Sequence, residues 1–278
     1  MSQNEFVGNS VSQALLEELA RLFMAVKRKA PGRVSPDVDT STLKLRAPLH
    51  WLDGHEVEVR VHRRGKGKPA LLVHGWQSQA AEMDALSGAL GHAGFEVWMP
   101  DLPGHGYSSG AHLSLPLAAS TLLAVQSLVG PFSYAVGHSY GGASLVHALG
   151  RQLQADRVAL LAPPTHYGNL ARRFASKAGL PASSVAQWLD LLLKMTGVHP
   201  DEISFERQVA ELRQPALLLH GTNDQIIPIA ESEAAASIWP SVVWMPLPGI
   251  GHFDLPSNPK VVEYVVEFGL EKPVPLTK

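Results

Sequence analysis

Short, predominantly apolar runs recur from the first quarter of the chain onward, and helix-length segments separate most of them. The apolar runs are 70–73, 95–99, 134–136, 158–162, 216–219 and 242–247, and the helix-length segments are 79–92, 115–129, 140–154, 230–239 and 257–268. Strands that are apolar on both faces and alternate with helices are typical of a parallel sheet covered on both sides. The pattern therefore predicts an α/β fold with a mostly parallel central sheet.

A different pattern precedes these runs. Residues 56–61 alternate strictly between charged side chains and valines, which predicts a half-buried strand. A partner strand is predicted over 43–52, and Asp53-Gly54 between the two strands favours the backbone angles of a tight hairpin turn. We therefore expect the sheet to begin with an antiparallel hairpin.

The N-terminal segment 1–34 contains one predicted amphipathic helix. Residues 11–29 have the apolar periodicity of such a helix, and Pro31-Gly32 ends it. One interpretation is that the apolar face packs on the rest of the protein or on a partner. The basic end 27–29 leaves open an alternative, contact with a membrane surface.

A long connection interrupts the alternation of strands and helices. About fifty residues separate the runs 158–162 and 216–219, which exceeds the usual length of a single crossover. We predict a helical cap over 164–212, inserted into an α/β core formed by 35–163 and 213–278.

Two features of this cap bear on a substrate. Residues 185–195 are apolar around most of a helix, which fits either the roof of an acyl pocket or a helix packed in a core. Arg172, Arg173 and Lys177 either contact an anionic group of the substrate or lie on the solvated surface.

Composition narrows the functional classes. The chain has 278 residues, no cysteine and a formal net charge of −2. The lack of cysteine excludes disulfides, a thiolate nucleophile and cysteine-ligated metal sites, and the balanced charge argues against a nucleic-acid partner. No run of about 18 apolar residues and no N-terminal targeting signal is present, so membrane association is not expected and a cytoplasmic location is the default. The oligomeric state stays open.

A candidate nucleophile lies where one apolar run meets a helical segment. Gly137-His138-Ser139-Tyr140-Gly141 has the G-x-S-x-G pattern, which holds a serine on a sharp turn at the carboxyl edge of a sheet. We predict Ser139 as the nucleophile. An oxyanion needs two backbone N–H donors, and we predict the amides of Tyr140 and of Trp76, in the loop 74–77.

A serine hydroxyl needs a base to take its proton. Among the thirteen histidines, His252 follows the last predicted strand, where a loop can fold back over the edge of the sheet. His74 and His220 lie in His-Gly turns, and His138 adjoins the serine itself. We therefore predict His252 as the general base.

The imidazole needs a carboxylate that orients it from a neighbouring strand end. Asp224 follows the run 216–219, whereas the loop 163–165 after the preceding strand contains no carboxylate. Asp254 lies too close to His252 along the chain to orient it easily. We predict Asp224 as the orienting acid; a helix-capping role is its alternative.

Five segments together resemble the α/β-hydrolase superfamily in order and spacing: His74-Gly75-Trp76, 101–108, 137–142, the Asp224 loop and Gly251-His252. The resemblance covers about residues 43–268. It implies the α/β-hydrolase fold, a Ser-Asp-His triad and no metal or organic cofactor. The chain differs from members with an aspartate nucleophile and lacks the Gly-Gly-Gly oxyanion loop of some esterases. By the resemblance, the segment 101–109 supports the active-site edge without a chemical role.

From these residues we expect a serine hydrolase that cleaves a carboxylic ester of a small to medium acyl group through an acyl-enzyme. The expected partner is a small, ester-like molecule. Two alternatives remain open at this point. The same triad could cleave a thioester, lactone, amide or C–C bond, or the fold could serve as a ligand receptor without catalysis.

Overall fold

A single eight-stranded sheet organises the computed structural model, which describes residues 11–46 and 56–273. Its strands are β1 (Val38–Arg46), β2 (Glu56–Arg64), β3 (Lys68–Val73), β4 (Phe95–Pro100), β5 (Tyr134–His138), β6 (Val158–Leu161), β7 (Ala216–Gly221) and β8 (Val242–Leu247). The order across the sheet is β1-β2-β4-β3-β5-β6-β7-β8. Strand β2 is antiparallel to both β1 and β4, and every other neighbouring pair is parallel. The predicted mostly parallel sheet with an antiparallel start is confirmed.

Helices surround this sheet. In the described ranges they are α1 (Gln13–Met24), α2 (Asp84–His92), α3 (Leu115–Val129), α4 (Tyr140–Leu149), α5 (Tyr167–Lys177), α6 (Ala182–Thr196), α7 (Phe205–Gln208), α8 (Ile229–Ile238) and α9 (Pro259–Gly269), with 3₁₀ turns at Ala80–Met83 and Pro200–Glu202. Local signals explain several ends. Helix α3 begins where the Ser114 hydroxyl accepts the Leu117 amide, and α9 begins where Asn258 caps its first turn. Helix α4 ends at Leu149, earlier than predicted: the chain turns at Gln152, whose φ is +74°, and the Leu153 amide donates to the Ala148 carbonyl at 2.9 Å.

The hairpin differs from its prediction in where the first strand lies. Strand β1 begins at Val38 rather than at residue 43, and its last described residue, Arg46, pairs with Glu56 of β2. The early residues of β1 are mostly polar and exposed, so apolar alternation did not indicate them. The predicted turn at Asp53-Gly54 lies outside the described residues.

Both faces of the sheet are buried at the central strands β3, β5, β6 and β7, which explains their mostly apolar sequences. In β3, Leu71 and Val73 contact the core beneath α3 and α4, whereas Ala70 and Leu72 contact the core beneath α2 and α9. Such a strand has no solvent-facing side, so polar residues find no place in it.

A third core lies apart from the sheet. Helices α5, α6 and α7 follow β6 and precede β7, and α1 packs against α5 and α6. Trp188 of α6 is fully buried there, with its ring 5.5 Å from that of Phe23 in α1 and 6.0 Å from that of Phe174 in α5. The apolar face of α1 therefore packs inside the protein, and α1 and the connection between β6 and β7 form one helical layer. The bounds of the cap, 164–212, stay a prediction.

The end of α1 is tied to the loop that follows β4. The Val26 amide donates to the Ala111 carbonyl and the Leu113 amide donates to the Met24 carbonyl, at 2.9 and 2.8 Å. The Arg28 guanidinium donates to the Gly110 carbonyl at 3.1 Å. These bonds fix α1 near the carboxyl edge of the sheet. No helix within 11–46 and 56–273 is both long enough and apolar enough to cross a bilayer.

Candidate active site

The candidate nucleophile occupies a strained turn between β5 and α4. Ser139 has a φ of +51°, a backbone conformation that side-chain-bearing residues rarely adopt. Glycine on either side makes the turn possible. A Cβ on Gly141 would lie 2.4 Å from the Val73 carbonyl oxygen, and one on Gly137 would lie 2.7 Å from the Gly142 Cα. The turn thus requires glycine at the positions where the G-x-S-x-G pattern has it.

Three side chains predicted from separate loops meet at this turn. The Ser139 Oγ lies 2.9 Å from His252 Nε2, and His252 Nδ1 lies 2.6 Å from Asp224 Oδ2. Because a carboxylate only accepts hydrogen bonds, Nδ1 carries the imidazole proton and Nε2 is left to accept the serine hydroxyl proton. The arrangement can therefore remove a proton from Ser139 as the hydroxyl attacks a carbonyl carbon.

Asp224 is held as a buried carboxylate by several donors. Its second oxygen, Oδ1, accepts the amides of Ile226 and Ile227, each at 2.8 Å, and His220 Nε2 lies 3.2 Å from Oδ2. Burial alone would raise the pKa of Asp224, but the hydrogen bonds from His220, His252 and the two amides outweigh it and hold the pKa below its usual value. The carboxylate stays charged and can stabilise an imidazolium at His252.

Two further histidines contact His252 and Asp224, and sequence reasoning gave neither of them a role at the site. His138 Nε2 donates to the His252 carbonyl at 3.0 Å. Burial, together with the neighbouring His252, lowers the pKa of His138 to about 3, so its imidazole stays neutral. His220 Nε2 also donates to the Ile227 carbonyl at 3.0 Å, and its Nδ1 accepts the Ser232 hydroxyl. The available signal was a histidine at the end of an otherwise apolar strand.

Two residues that were considered and rejected, His74 as the base and Asp254 as the orienting acid, do not contact the imidazole of His252. His74 Nδ1 donates to the Gly75 carbonyl at 2.7 Å, and its Nε2 accepts the Leu102 amide at 3.0 Å, so both ring nitrogens are occupied. Asp254 is exposed, and its backbone closes a turn with Gly251. Neither side chain bonds to the imidazole of His252.

The two predicted oxyanion donors lie on either side of the nucleophile. Tyr140 follows Ser139 directly, and a Cβ on Gly75, next to Trp76, would lie 3.1 Å from the Ser139 Cβ. Within the described residues, the amides of Trp76 and Tyr140 donate to no other group. The following amide, Gln77, donates to His105 Nε2 at 3.0 Å and holds the loop in place. Both N–H groups are therefore free for a ligand.

Two cavities reach Ser139. The larger cavity, of about 420 Å³, is lined by Leu22, Phe23, Ala25, Trp76, Gln77, Ser139, Tyr140, Pro164, Tyr167, Leu170, Arg173, Phe174, Lys177, Ile226 and Ile227. The smaller cavity, of about 280 Å³, is lined by Lys29, Gly75, Trp76, Gln77, Ser78, Glu82, Met83, His138, Ser139, His252, Phe253 and Pro256. Ser139 lines both cavities, whereas His252 lines only the smaller of the two.

The residues that line the larger cavity show whether residues 185–195 form its roof or a packed helix. Described residues of α6 do not reach this cavity; Trp188, Leu189 and Leu192 are buried in the third core, so the segment 185–195 is a packed helix. Helices α1 and α5 supply the wall instead. Arg172 pairs with Asp201 outside the cavity, at 2.7 Å from Nη2 to Oδ2.

Comparison with known proteins shows the family to which this chain belongs. The model of the alpha/beta hydrolase family matches residues 70–263, and the chain belongs to this family of hydrolases. Helix α1 lies outside the matched residues, so the wall that it supplies to the larger cavity is not covered by the family match.

Individual relatives and solved structures share a quarter or less of their sequence with this chain. The chain is 25% identical, over 235 residues, to a pimeloyl-[acyl-carrier protein] methyl ester esterase of Xanthomonas campestris pv. campestris; the match covers 68% of this chain and 89% of the relative. A thermophilic esterase from Thermogutta terrifontis matches with a TM-score of 0.63 at 22% identity, over 83% of this chain and 98% of that one. A putative lipase from Acinetobacter baumannii matches with a TM-score of 0.64 at 17% identity, over 96% and 98%. These structures share the fold.

Proposed function

We propose that this protein is a serine esterase that cleaves carboxylic esters of small to medium acyl groups through an acyl-enzyme on Ser139. The observation that carries the proposal is the unbroken row of hydrogen bonds from Ser139 through His252 to Asp224, with contacts of 2.9 and 2.6 Å. The esterase from Xanthomonas campestris, which the chain resembles over most of its length, supports an ester as the bond cleaved.

Acylation follows from the roles of these atoms. As the Ser139 hydroxyl attacks the ester carbonyl, its proton moves to His252 Nε2, and the carbonyl oxygen becomes an oxyanion. The free amides of Trp76 and Tyr140 donate to that oxyanion, and the charged Asp224 carboxylate stabilises the imidazolium. His252 then gives its proton to the alcohol oxygen as the C–O bond breaks, which leaves the acyl group on Ser139.

Deacylation repeats the same proton path with water. Water loses a proton to His252 Nε2 as it attacks the acyl carbon, and the proton returns to Ser139 as the acid leaves. No residue needs to move far between the two halves of the cycle, because one imidazole serves both.

The two cavities give each half of the ester a place. The leaving oxygen must lie next to His252, which lines the smaller cavity and not the larger one. We therefore assign the alcohol to the smaller cavity and the acyl group to the larger, mostly apolar cavity. Residues 164–212, as the proposed cap, together with α1, then cover the acyl chain rather than the alcohol.

The test combines labelling with turnover. A fluorophosphonate should label wild-type protein at Ser139, and short p-nitrophenyl esters should be hydrolysed. Ser139→Ala should abolish labelling and lower kcat by on the order of 10⁶, as in other serine triads. Thermal unfolding of the variant checks that it is folded. Retained turnover in folded Ser139→Ala would contradict the proposal.

The same material separates the alternatives. One outcome is that fluorophosphonate labels Ser139 while esters are hydrolysed more slowly than matched thioesters, lactones, amides or C–C-cleavage substrates. That result would support the Ser139 triad but contradict an ester as the bond cleaved. If the protein binds a small molecule tightly, yet neither labels nor hydrolyses any activated ester, it is a receptor on a hydrolase fold.

A further inference from the structure

One face of helix α5 runs along the larger cavity and changes character along its length. Tyr167, Leu170 and Phe174 are apolar or aromatic, whereas Arg173 and Lys177 carry positive charge, and all five line the cavity. Spacings of three and four residues place them on one side of the helix. The helix therefore presents apolar surface at its beginning and cationic surface at its end.

The beginning of this face lies next to the nucleophile. Tyr167 is buried, and its phenol neighbours that of Tyr140, the residue after Ser139. Its ring also contacts Phe23 of α1, with 5.5 Å between centroids. At a rise of about 1.5 Å per residue, Lys177 lies about 15 Å further along the helix. The part of α5 nearest the reacting ester is thus apolar, and both cations lie further from it.

Arg173 has a donor group that the protein leaves unused. Its Nη1 donates to Glu231 Oε1 at 2.7 Å, and Glu231 Oε2 accepts the Thr165 amide at 2.9 Å. Its Nη2 is buried and has no hydrogen-bond partner in the described part of the chain. A buried guanidinium nitrogen without an acceptor is unfavourable, and rotation of the Arg173 side chain toward the cavity that it lines would give Nη2 an acceptor on a bound ligand.

Lys177 lies one helical turn further, where the cavity opens. Its side chain is exposed and forms no ion pair within 11–46 or 56–273. Arg173 and Lys177 are the charged side chains among the described residues that line this cavity, and Glu231 offsets one of the two charges. A net positive charge remains at the end away from Ser139.

We propose that the larger cavity binds an acyl chain that ends in a carboxylate, with Arg173 and Lys177 as the residues that select it. The inference rests on the proposed esterase function and on the placement of the acyl group in this cavity. The preferred substrates are then half-esters of straight-chain dicarboxylic acids. The ester lies at Ser139, the methylene chain packs against Leu170 and Phe174, and the free carboxylate accepts the unused Nη2–H of Arg173 and an N–H of Lys177.

A structural role for Arg173 explains less. Its bond to Glu231 joins α5 to α8, but that role uses only Nη1. It gives no reason for the unpartnered Nη2 or for a second cation one turn away on the same wall.

The experiment compares each monomethyl half-ester with the dimethyl diester of the same acid, over a series of chain lengths. The two molecules share length and ester group and differ in the terminal charge. Wild type should prefer the half-ester by about tenfold or more in kcat/KM, at chain lengths that reach Lys177, because the terminal carboxylate accepts charge-assisted hydrogen bonds more strongly than the neutral methyl ester does.

Lys177→Gln removes one cation from an exposed position and should lower that preference several-fold, mainly by raising KM for the half-ester. Lys177→Glu should reverse the preference, and Arg173→Lys should weaken it while keeping a charge beside Glu231. The matched control is Arg172→Gln, which removes one charge from the same helix outside the cavity and should leave the preference unchanged.

Equal kcat/KM for half-ester and diester in wild type overturns the inference, as does an equal loss for both in Lys177→Gln. Either result leaves the proposed esterase intact if Ser139-dependent hydrolysis of the diester persists. Absence of hydrolysis for every ester, with no fluorophosphonate labelling, instead removes the proposed function.

Discussion

The candidate catalytic edge of the sheet carries Ser139, Asp224 and His252, and the helical layer above it consists of α1, α5 and α6. Different interactions hold these two regions together. At the edge, the loops after β5, β7 and β8 meet through hydrogen bonds, and Asp224 alone accepts two amides and two imidazoles. In the helical layer, α1, α5 and α6 meet through apolar side chains, and the buried indole N–H of Trp188 has no hydrogen-bond partner among the described residues. Hydrogen bonds between loops hold the first region together, and apolar contacts between helices hold the second.

Because of this difference, the two regions should respond differently to substitution. Hydrogen bonds have narrow distance and angle limits, so the edge fixes where a proton moves. Apolar contacts tolerate exchange of side chains of similar volume, so substitutions in the helical layer should change the shape of the larger cavity without moving Ser139, Asp224 or His252. Changes at the edge should therefore alter the rate of chemistry, and changes in the layer should alter stability and substrate range.

The largest effect is expected at the edge. Asp224→Asn keeps the shape of the side chain but removes the charge that stabilises the imidazolium and fixes its tautomer, so kcat for a p-nitrophenyl ester should fall by about 10⁴. The control is Asp254→Asn, an exposed acid two residues from His252 that has no contact with its imidazole. Equal losses in the two variants would show that Asp224 is not the orienting acid.

In the helical layer, Trp188→Ala removes the largest buried side chain of the third core and should lower the free energy of unfolding by about 3–5 kcal/mol. Because α6 does not line the cavity, hydrolysis of an acetyl ester should keep its kcat, while KM for longer acyl esters rises as α1 and α5 lose support. Trp188→Phe is the matched control and should have a smaller effect on stability. A large loss of kcat for the acetyl ester would break the division between the two regions.

Gly141→Ala tests the backbone of the edge. The new Cβ would lie 2.4 Å from the Val73 carbonyl oxygen and 2.5 Å from that of His74, so the turn must shift. We expect a loss of about 3 kcal/mol in unfolding free energy and slower fluorophosphonate labelling of Ser139. Gly150→Ala, at the other end of α4, meets no atom closer than 3.4 Å and should leave both measurements nearly unchanged. Comparable effects at the two glycines would contradict the requirement for glycine at 141.

The smallest effect per residue concerns acid stability. Burial lowers the pKa of His138 and His105 to about 3 and of His147 to about 4, from an ordinary value of 6.5. The unfolded chain therefore binds protons below pH 6.5 while the folded protein does not. Stability present above that pH is lost as pH falls toward 3, by about 2 kcal/mol per histidine near pH 5.

Urea unfolding between pH 7 and pH 5 measures this loss. His147→Gln removes one of these groups at a position away from Ser139, Asp224 and His252, and should reduce the loss of stability by about 2 kcal/mol near pH 5. A profile for His147→Gln that matches wild type would show that this imidazole is not held neutral.

Much of the catalytic edge could be predicted from sequence, because its constraints are local. The strand runs buried on both faces leave no polar positions, so Ser139, Asp224 and His252 stand out where those runs end. The positions of His138 and His220 next to His252 and Asp224 could not be predicted. In the sequence, a histidine at a strand end that positions other residues looks the same as one that is only packed in the core.

The helical layer could not be predicted in the same way. The periodicity of α1 shows that it has an apolar face, but only tertiary packing shows that this face meets α6 and that Phe23 reaches the cavity. The same limit applies to 185–195, whose composition fits a roof and a packed helix equally well. Strand β1 began earlier than predicted because edge residues such as Thr40 need no apolar alternation.

Trapping the covalent intermediate tests the central claim most directly. Wild-type protein mixed with a p-nitrophenyl ester and quenched in acid within the first turnovers should carry one acyl group, located by peptide mass spectrometry on Ser139. The released p-nitrophenol should show a burst that matches the amount of acylated enzyme. Hydrolysis that proceeds with no adduct on Ser139, or with the acyl group on another residue, would contradict the account.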